Sequence, residues 1–113
     1  MTRVVVAGYA RSPFTLASKG ALARVRPDDL AAQVVRGLVA RSGVAADDIE
    51  DLLLGCAFPE GEQGLNLARL VGLMSGLPRS VGAATINRFC GSSMTSVHFA
   101  AGQIMLGAGD AFL

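Results

Sequence analysis

The chain has 113 residues, and 51% of them are hydrophobic, which suits one domain with a buried core and excludes a disordered chain, a collagen-like fibre and a disulfide-built miniprotein. Ten basic residues against nine acidic ones give a formal charge of +1, so the chain lacks the basic field that nucleic-acid binding requires. Charged residues make up only 17% and the mean hydropathy is +0.47, so we expect part of the surface to be covered by a longer chain or an oligomer.

The hydrophobic pattern predicts alternating strands and helices. A β-branched run at residues 4–8 predicts a buried strand. Pro27, followed by acidic residues and by apolar residues at helical spacing, predicts a helix over residues 27–42 that Gly43 stops. Residues 46–49 then predict a short capped turn.

The same alternation continues to the last residue. A second apolar run at 52–58 predicts a strand, residues 65–76 a helix and residues 81–86 a third strand. Small and apolar residues at every position around 91–106 predict a helix that is buried on all sides. Residues 110–113 are typical of a strand that is just beginning.

This order of elements implies right-handed crossovers and a mostly parallel sheet, which is the α/β class. No repeat, low-complexity tract or linker divides the chain. Because the sequence stops on the apolar Leu113 inside a predicted strand, we expect residues 1–113 to be one part of a longer fold.

Compartment and membrane contact follow from the same sequence. The first residues lack the charged stretch, apolar core and cleavage site of a secretory signal, so we expect a cytoplasmic protein. In that reducing compartment Cys56 and Cys90 are expected to be free thiols. The long uncharged run at 89–109 contains several polar residues, which argue against a membrane span.

Cys90 is the candidate catalytic residue, because a sharp turn from a strand into a helix exposes a nucleophile at the top of a sheet. In the first turn of the helix, its sulfur would face unpaired backbone N–H groups, which stabilise a thiolate and bind an oxyanion. Acyl transfer through a thioester needs both features. The alternative is that Cys90 is a small buried apolar residue, and position alone leaves both interpretations open.

Structural roles are expected for the other candidate residues. His98, the single histidine, lies about 12 Å from Cys90 along the helix axis, so it cannot be the base and is expected to be hydrogen-bonded inside the fold. Cys56 is expected to be structural at the end of its strand. Glu60 and Glu62 are interpreted as solvated loop charges.

Two further kinds of site are not expected. Cys56, Cys90 and His98 lack the spacing of metal ligands, and the glycines form no nucleotide-binding motif. Arg88 lies in an apolar neighbourhood, so it needs a partner that a subunit contact would provide.

The segment Asn87 to Met94, with residues 100–102 and 107–110 after it, resembles the nucleophile segment of thiolases. Residues 11–14, 26–30 and 55–66 are similar to the acetyl-CoA acyltransferase, or 3-ketoacyl-CoA thiolase, branch of that family. The resemblance covers the whole chain. It implies the five-layer αβαβα thiolase fold, of which this chain would be most of the N-terminal half, with the helix after Cys90 in the middle layer.

The resemblance also implies a reaction of fatty acid metabolism: reversible thiolytic cleavage of a 3-oxoacyl-CoA to acetyl-CoA and a shortened acyl-CoA, or the reverse Claisen condensation. Cys90 would carry the acyl group, and its backbone N–H would contribute to the oxyanion site. Coenzyme A would be a substrate, with no permanently bound cofactor. The activating histidine, a second cysteine and most coenzyme A contacts would lie beyond Leu113, so residues 1–113 alone are expected to be inactive.

The resemblance further places a homodimer or tetramer interface at strand 81–86 and turn 87–93. Two other functions stay open. A condensing enzyme of the ketoacyl synthase type would share the fold and the cysteine, although the residues around Cys90 favour a thiolase. A thiolase-like binding subunit would carry an inert cysteine.

Overall fold

The computed structural model describes residues 2–113, in which helices and strands alternate. The elements are α1 (Pro27–Ser42), β1 (Asp51–Gly55), α2 (Leu67–Met74), β2 (Gly82–Ile86) and α3 (Ser92–Met105), with short 3₁₀ turns at Ala46–Asp48 and Gly61–Gln63. The predicted order of elements is therefore confirmed from residue 27 onward. The largest difference is in β1, which ends at Gly55 instead of continuing to residue 58.

Helix α1 has the predicted bounds. Pro27 occupies its first turn, and Gly43 ends it with a φ of 74°, a left-handed conformation that glycine adopts at little cost. Arg26 donates from Nε and Nη2 to the carboxylate of Asp28 at 3.0 and 2.7 Å, and the N–H of Asp29 donates to the same carboxylate at 2.9 Å. These hydrogen bonds hold the pKa of Asp28 below its ordinary value.

The two strands are parallel neighbours, joined by a crossover that contains α2. Their register runs from Asp51 opposite Gly82 to Gly55 opposite Ile86. The last residues of the chain lie along the other edge of β1, where the N–H of Leu53 donates to the carbonyl of Leu113 at 2.7 Å. The predicted parallel arrangement is confirmed, whereas residues 110–113, predicted as a strand that is just beginning, form one parallel bridge, between Phe112 and Asp51.

Helix α2 is tied to β2 by side-chain hydrogen bonds. Asn66 accepts from the N–H of Arg69 and from the Thr85 hydroxyl, and its amide group donates to the carbonyl of Ala83 at 2.9 Å. The N–H of Ala68 donates to Thr85 Oγ1 at 3.0 Å. Because the amide and the hydroxyl satisfy backbone groups on both elements, they fix the start of α2 against the sheet.

The core lies between β1, α1 and α2. Its buried apolar residues are Ala32, Val35, Ile49, Leu52, Cys56, Leu67, Ala68, Val71, Leu77 and Val81. Val71, on α2, is fully buried. One face of the sheet is therefore packed against α2, while α3 lies against β1.

The strand predicted at residues 4–8 is not present. Val5 and Val6 are 68% and 83% exposed, and within residues 2–113 no backbone hydrogen bond joins this segment to a strand. Residues 111–113 occupy the second edge of β1, so the β-branched residues do not pair with that strand. Directly after this segment, the carbonyl of Tyr9 accepts a hydrogen bond from Arg41 Nη2 of α1 at 3.0 Å.

The prediction that the third helix is buried on all sides is also wrong. The buried residues of α3 are Ser92, Thr95 and Ser96, whereas the large apolar side chains of Met94 and Val97 are exposed. Apolar composition indicates that a helix can be covered on every side, but only the sheet covers α3 among the described residues. None of the helices in residues 2–113 is long and apolar enough to cross a bilayer.

Candidate active site

Cys90 lies on the turn between the end of β2 and the start of α3. Its thiol is free and exposed, which contradicts the alternative of a small buried apolar residue. Helix α3 begins at Ser92 with Gly91 as its N-cap, so Cys90 precedes the first helical turn instead of lying within it. The sulfur-bearing residue is therefore next to the helix end whose N–H groups lack helical acceptors.

Hydrogen bonds within the turn fix its shape. The N–H of Arg88 donates to Ser92 Oγ at 2.9 Å, and that hydroxyl donates to the carbonyl of Phe89 at 2.6 Å. The N–H of Phe89 donates to Asn87 Oδ1 at 2.9 Å, and the N–H of Gly91 donates to the carbonyl of Arg88 at 3.0 Å. Polar groups on both sides of Cys90 thus have partners.

Phe89 has a φ of 46°, in the left-handed region that bulky residues rarely adopt. Such a conformation persists only where surrounding contacts hold it, and it is common next to reacting groups. Its ring lies 6.4 Å from the ring of Phe58, centroid to centroid, at an interplanar angle of 56°. The aromatic pair joins the loop after β1 to the turn that carries Cys90.

Gly55, the last residue of β1, allows α3 to approach the sheet. A Cβ atom at this position would lie 2.7 Å from the backbone of both Ser92 and Ser93, which is too close for any side chain. The next residue, Cys56, is buried, and its N–H donates to the carbonyl of Ile86 at 2.9 Å. The burial of Cys56 suits the structural role predicted for it, and the carboxyl ends of both strands meet at the Cys90 turn.

The other residues that the sequence singled out are exposed. His98 is exposed, so the expectation of a hydrogen-bonded interior histidine is wrong, because the buried face of α3 consists of its small polar residues. Arg88 is exposed and forms no ion pair with any residue that the structure describes. Glu60 and Glu62 are exposed, as predicted, and Glu62 lies 3.4 Å from Arg26.

The described residues were also compared with the requirements of a metal site and of a ligand-binding groove. In residues 2–113, no three His, Cys, Asp or Glu side chains lie close enough to hold a metal ion. An apolar groove of about 510 Å³ between α1, β1 and α3 is lined by residues such as Val6, Leu53 and Ile104, and not by Cys90.

Sequence reasoning identified Cys90 but not the residues that shape its turn. The conformation of Phe89 has no sequence signal, because left-handed φ values are expected at glycine or asparagine. The roles of Gly55 and Ser92 depend on a contact between β1 and α3.

Comparison with curated proteins agrees with this geometry. The chain is 50% identical over 110 residues to the 3-ketoacyl-CoA thiolase of Bacillus subtilis and 46% identical over 111 residues to the 3-ketoacyl-CoA thiolase of Saccharophagus degradans. Each alignment covers 97% of this chain and 28% of the relative. The chain therefore spans just over a quarter of the length of these relatives.

Comparison of structures gives the same result. The crystal structure of the Bacillus anthracis acetyl-CoA acetyltransferase matches with a TM-score of 0.86 and 35% identity, over 94% of this chain and 26% of that protein. The predicted thiolase fold is thus confirmed for this segment. The family model "Thiolase, N-terminal domain" matches residues 4–113. The chain belongs to the thiolase family.

Proposed function

We propose that the protein containing this chain is an acyltransferase that cleaves 3-oxoacyl-CoA thiolytically, or runs the reverse Claisen condensation, through an acyl-thioester on Cys90. The observation that carries the proposal is the exposed thiol of Cys90, on a strand-to-helix turn that hydrogen bonds fix in shape, within a thiolase N-terminal domain. The names of the relatives, 3-ketoacyl-CoA thiolase and acetyl-CoA acetyltransferase, support this class of reaction.

In the first half-reaction, the thiolate of Cys90 attacks the 3-keto carbon of the substrate. A bond forms between Sγ and this carbon, and the negative charge moves to the keto oxygen. Backbone N–H groups next to the N-terminus of α3, including that of Cys90, are suited to receive this charge. The carbonyl then reforms, the bond between C2 and C3 breaks, and the departing acetyl-CoA enolate takes up a proton.

In the second half-reaction, coenzyme A is the acyl acceptor. Its thiol loses a proton and attacks the thioester carbonyl, and Cys90 leaves as the thiolate. Coenzyme A is thus a substrate in this proposal, and no permanently bound cofactor is required. His98 is separated from Cys90 by two turns of α3, so the groups that move these protons are supplied from outside residues 2–113.

Self-association is part of the proposal. In the described sheet, β2 pairs with β1 on one edge only, and the turn that follows it exposes Phe89. An unpaired strand edge beside an exposed aromatic side chain suits an interface between subunits. We propose that residues 81–86 and 87–93 lie at the contact between two copies of the full-length protein.

The test is acylation of the full-length protein. Incubation with acetyl-CoA, followed by acid quench and peptide mass spectrometry, is expected to place an acetyl group on Cys90. Cys90→Ala is expected to lower turnover by at least about a thousandfold, because a covalent mechanism loses its nucleophile.

Cys56→Ala is the matched control, because it removes a cysteine that is buried in the core. Its acetyl group on Cys90 is expected to persist. An unmodified Cys90 in a folded full-length protein would contradict the proposal and favour a binding subunit instead.

A further inference from the structure

The hydroxyl of Ser92 forms hydrogen bonds with backbone groups of the two residues that precede Cys90. Ser92 is only 4% exposed, although it is the first residue of α3. Its Oγ accepts from the N–H of Arg88 at 2.9 Å and donates to the carbonyl of Phe89 at 2.6 Å. One side chain therefore closes the turn from residue 88 to residue 92 around the nucleophile.

This closure coincides with the unfavourable backbone conformation of Phe89. A φ of 46° is unfavourable for a phenylalanine, and without opposing contacts the residue would relax to a negative φ. Such a change would rotate the following peptide unit, which belongs to Cys90. Without the Ser92 hydroxyl, the Arg88 N–H would lose its hydrogen-bond acceptor and the Phe89 carbonyl would lose one of its donors.

The other buried hydroxyls of α3 do not have this arrangement. Thr95 Oγ1 donates to the carbonyl of Gly91 at 3.0 Å, and Ser96 Oγ donates to the carbonyl of Ser92 at 3.2 Å. Both are bonds to the preceding helical turn, a common position for such side chains. Of the three, only Ser92 reaches the two residues before Cys90.

We propose that Ser92 is a positioning residue for Cys90: its hydroxyl holds Phe89 in the left-handed conformation and so keeps the thiol next to the N-terminus of α3. The inference rests on the proposed function only in that it takes Cys90 as the nucleophile. The positioning itself is a property of the turn, and it is measurable without acyl-CoA.

The first measurement is the rate of Cys90 acetylation by acetyl-CoA in the full-length protein. Ser92→Ala is expected to lower this rate about tenfold, because the turn loses two hydrogen bonds and the thiolate loses its fixed position. Ser96→Ala removes an equally buried hydroxyl from the same helix, and its rate is expected to stay within about twofold of the wild type.

A double-mutant cycle distinguishes positioning from general support of the fold. Phe89→Gly removes the penalty of the left-handed φ, because glycine adopts this region freely. In that background Ser92→Ala is expected to lower the rate less than about twofold, since the turn no longer depends on the hydroxyl. If Ser92 merely packed against the sheet, its tenfold effect would be the same in both backgrounds, and the proposal would be overturned.

The same double-mutant cycle is repeated without the proposed substrate. The rate at which iodoacetamide alkylates Cys90 at neutral pH is measured by peptide mass spectrometry. We expect the same coupling between Ser92 and Phe89, because both reagents react with a sulfur that the same turn positions. If the wild type is alkylated but not acetylated, the proposed function fails while the alkylation cycle still decides the positioning role. Equal rates for Ser92→Ala and wild type in both reactions would overturn it.

Thermal unfolding of every variant completes the test. Ser92→Ala is compared with the wild type only if it is folded at the assay temperature. If it is unfolded, the double variant Ser92→Ala/Phe89→Gly is compared with Phe89→Gly instead. An unfolded double variant beside a folded Phe89→Gly would overturn the proposal, because the serine would then support the fold as a whole.

Discussion

Asp28 and Asp51 show how one residue type acquires opposite electrostatic roles. Asp28 accepts hydrogen bonds from the Arg26 guanidinium, which lowers its pKa from the ordinary value of 3.8. Asp51 is the first residue of β1, where burial raises its pKa, and its Oδ1 is buried without a hydrogen-bond partner in residues 2–113. The ionised form is therefore favoured by folding at Asp28 and disfavoured at Asp51.

The stability of the fold should depend on pH through these two carboxyl groups. A lowered folded pKa means that Asp28 stabilises the fold above its unfolded pKa, and this contribution is lost as the pH falls through the folded pKa. A raised folded pKa means that ionised Asp51 opposes folding above that pKa, and the penalty disappears as the pH falls to the unfolded value. At neutral pH, Asp28→Asn should lower the melting temperature of the full-length protein, and Asp51→Asn should raise it.

The Asp51→Asn difference should shrink as the pH is lowered from 7 toward about 4, because the folded pKa of Asp51 lies above the unfolded value. The Asp28→Asn difference should persist to about pH 4 and shrink only below it, because the folded pKa of Asp28 lies below the unfolded value. Differential scanning calorimetry over this range checks the signs. Equal shifts of both variants in the same direction at neutral pH would contradict the electrostatic account.

At the level of elements, the contact between the end of β1 and the start of α3 sets the geometry of the Cys90 turn. Gly55 makes this contact possible, because any Cβ there would lie against the α3 backbone. Gly37, in the exposed part of α1, has no such neighbour within 4 Å of its Cβ position. The two glycines therefore have opposite expected responses to the same substitution.

Gly55→Ala is expected to destabilise the full-length protein by about 1–3 kcal/mol, because the added methyl group forces β1 and α3 apart. Gly37→Ala, the matched control, is expected to stabilise it by about 0.5–1 kcal/mol through helix propensity. Urea denaturation measures both changes. A neutral Gly55→Ala variant that keeps the acetylation rate of Cys90 would show that the close approach of α3 does not matter.

The elements also show how far sequence reasoning reaches. Helix α1 was predicted to the residue, because Pro27 and Gly43 act locally on the backbone. The burial of α3 was not, since apolar residues occur all around it and only tertiary packing decides which face is covered. Cys90 was predicted as the nucleophile from its position between a strand and a helix, and this stays a prediction. The contacts of Gly55 and Ser92 with the turn depend on packing across the fold and were not predicted.

For the molecule as a whole, the apolar surface of the described residues is large. Exposed apolar side chains include Tyr9, Phe14, Phe89, Met94 and Val97. The residues at 4–8 were predicted as a strand because their β-branched composition suits a buried sheet, but among residues 2–113 no free edge of β1 remains for them. That this surface is covered by a longer chain or an oligomer stays a prediction, and the composition does not say which of the two covers it.

We expect the full-length protein to be a dimer or a larger assembly at micromolar concentration, with residues 81–93 in the interface. Because pairing through a strand edge and the exposed Phe89 ring does not depend on charge, the assembly should persist at high salt, which screens interactions between charges. Light scattering coupled to size exclusion measures the mass under both conditions. A monomer mass at low and high salt would contradict this expectation.

The contacts that shape the Cys90 turn lie between Gly55 and Thr95. Gly55 and Phe58, at the end of β1 and in the loop after it, contact the turn from one side, and Thr95 donates to the carbonyl of Gly91 from the other. Chains fold from the N-terminus during synthesis. We therefore expect the turn around the thiol to acquire its shape on the ribosome, before the remainder of a longer polypeptide has been translated.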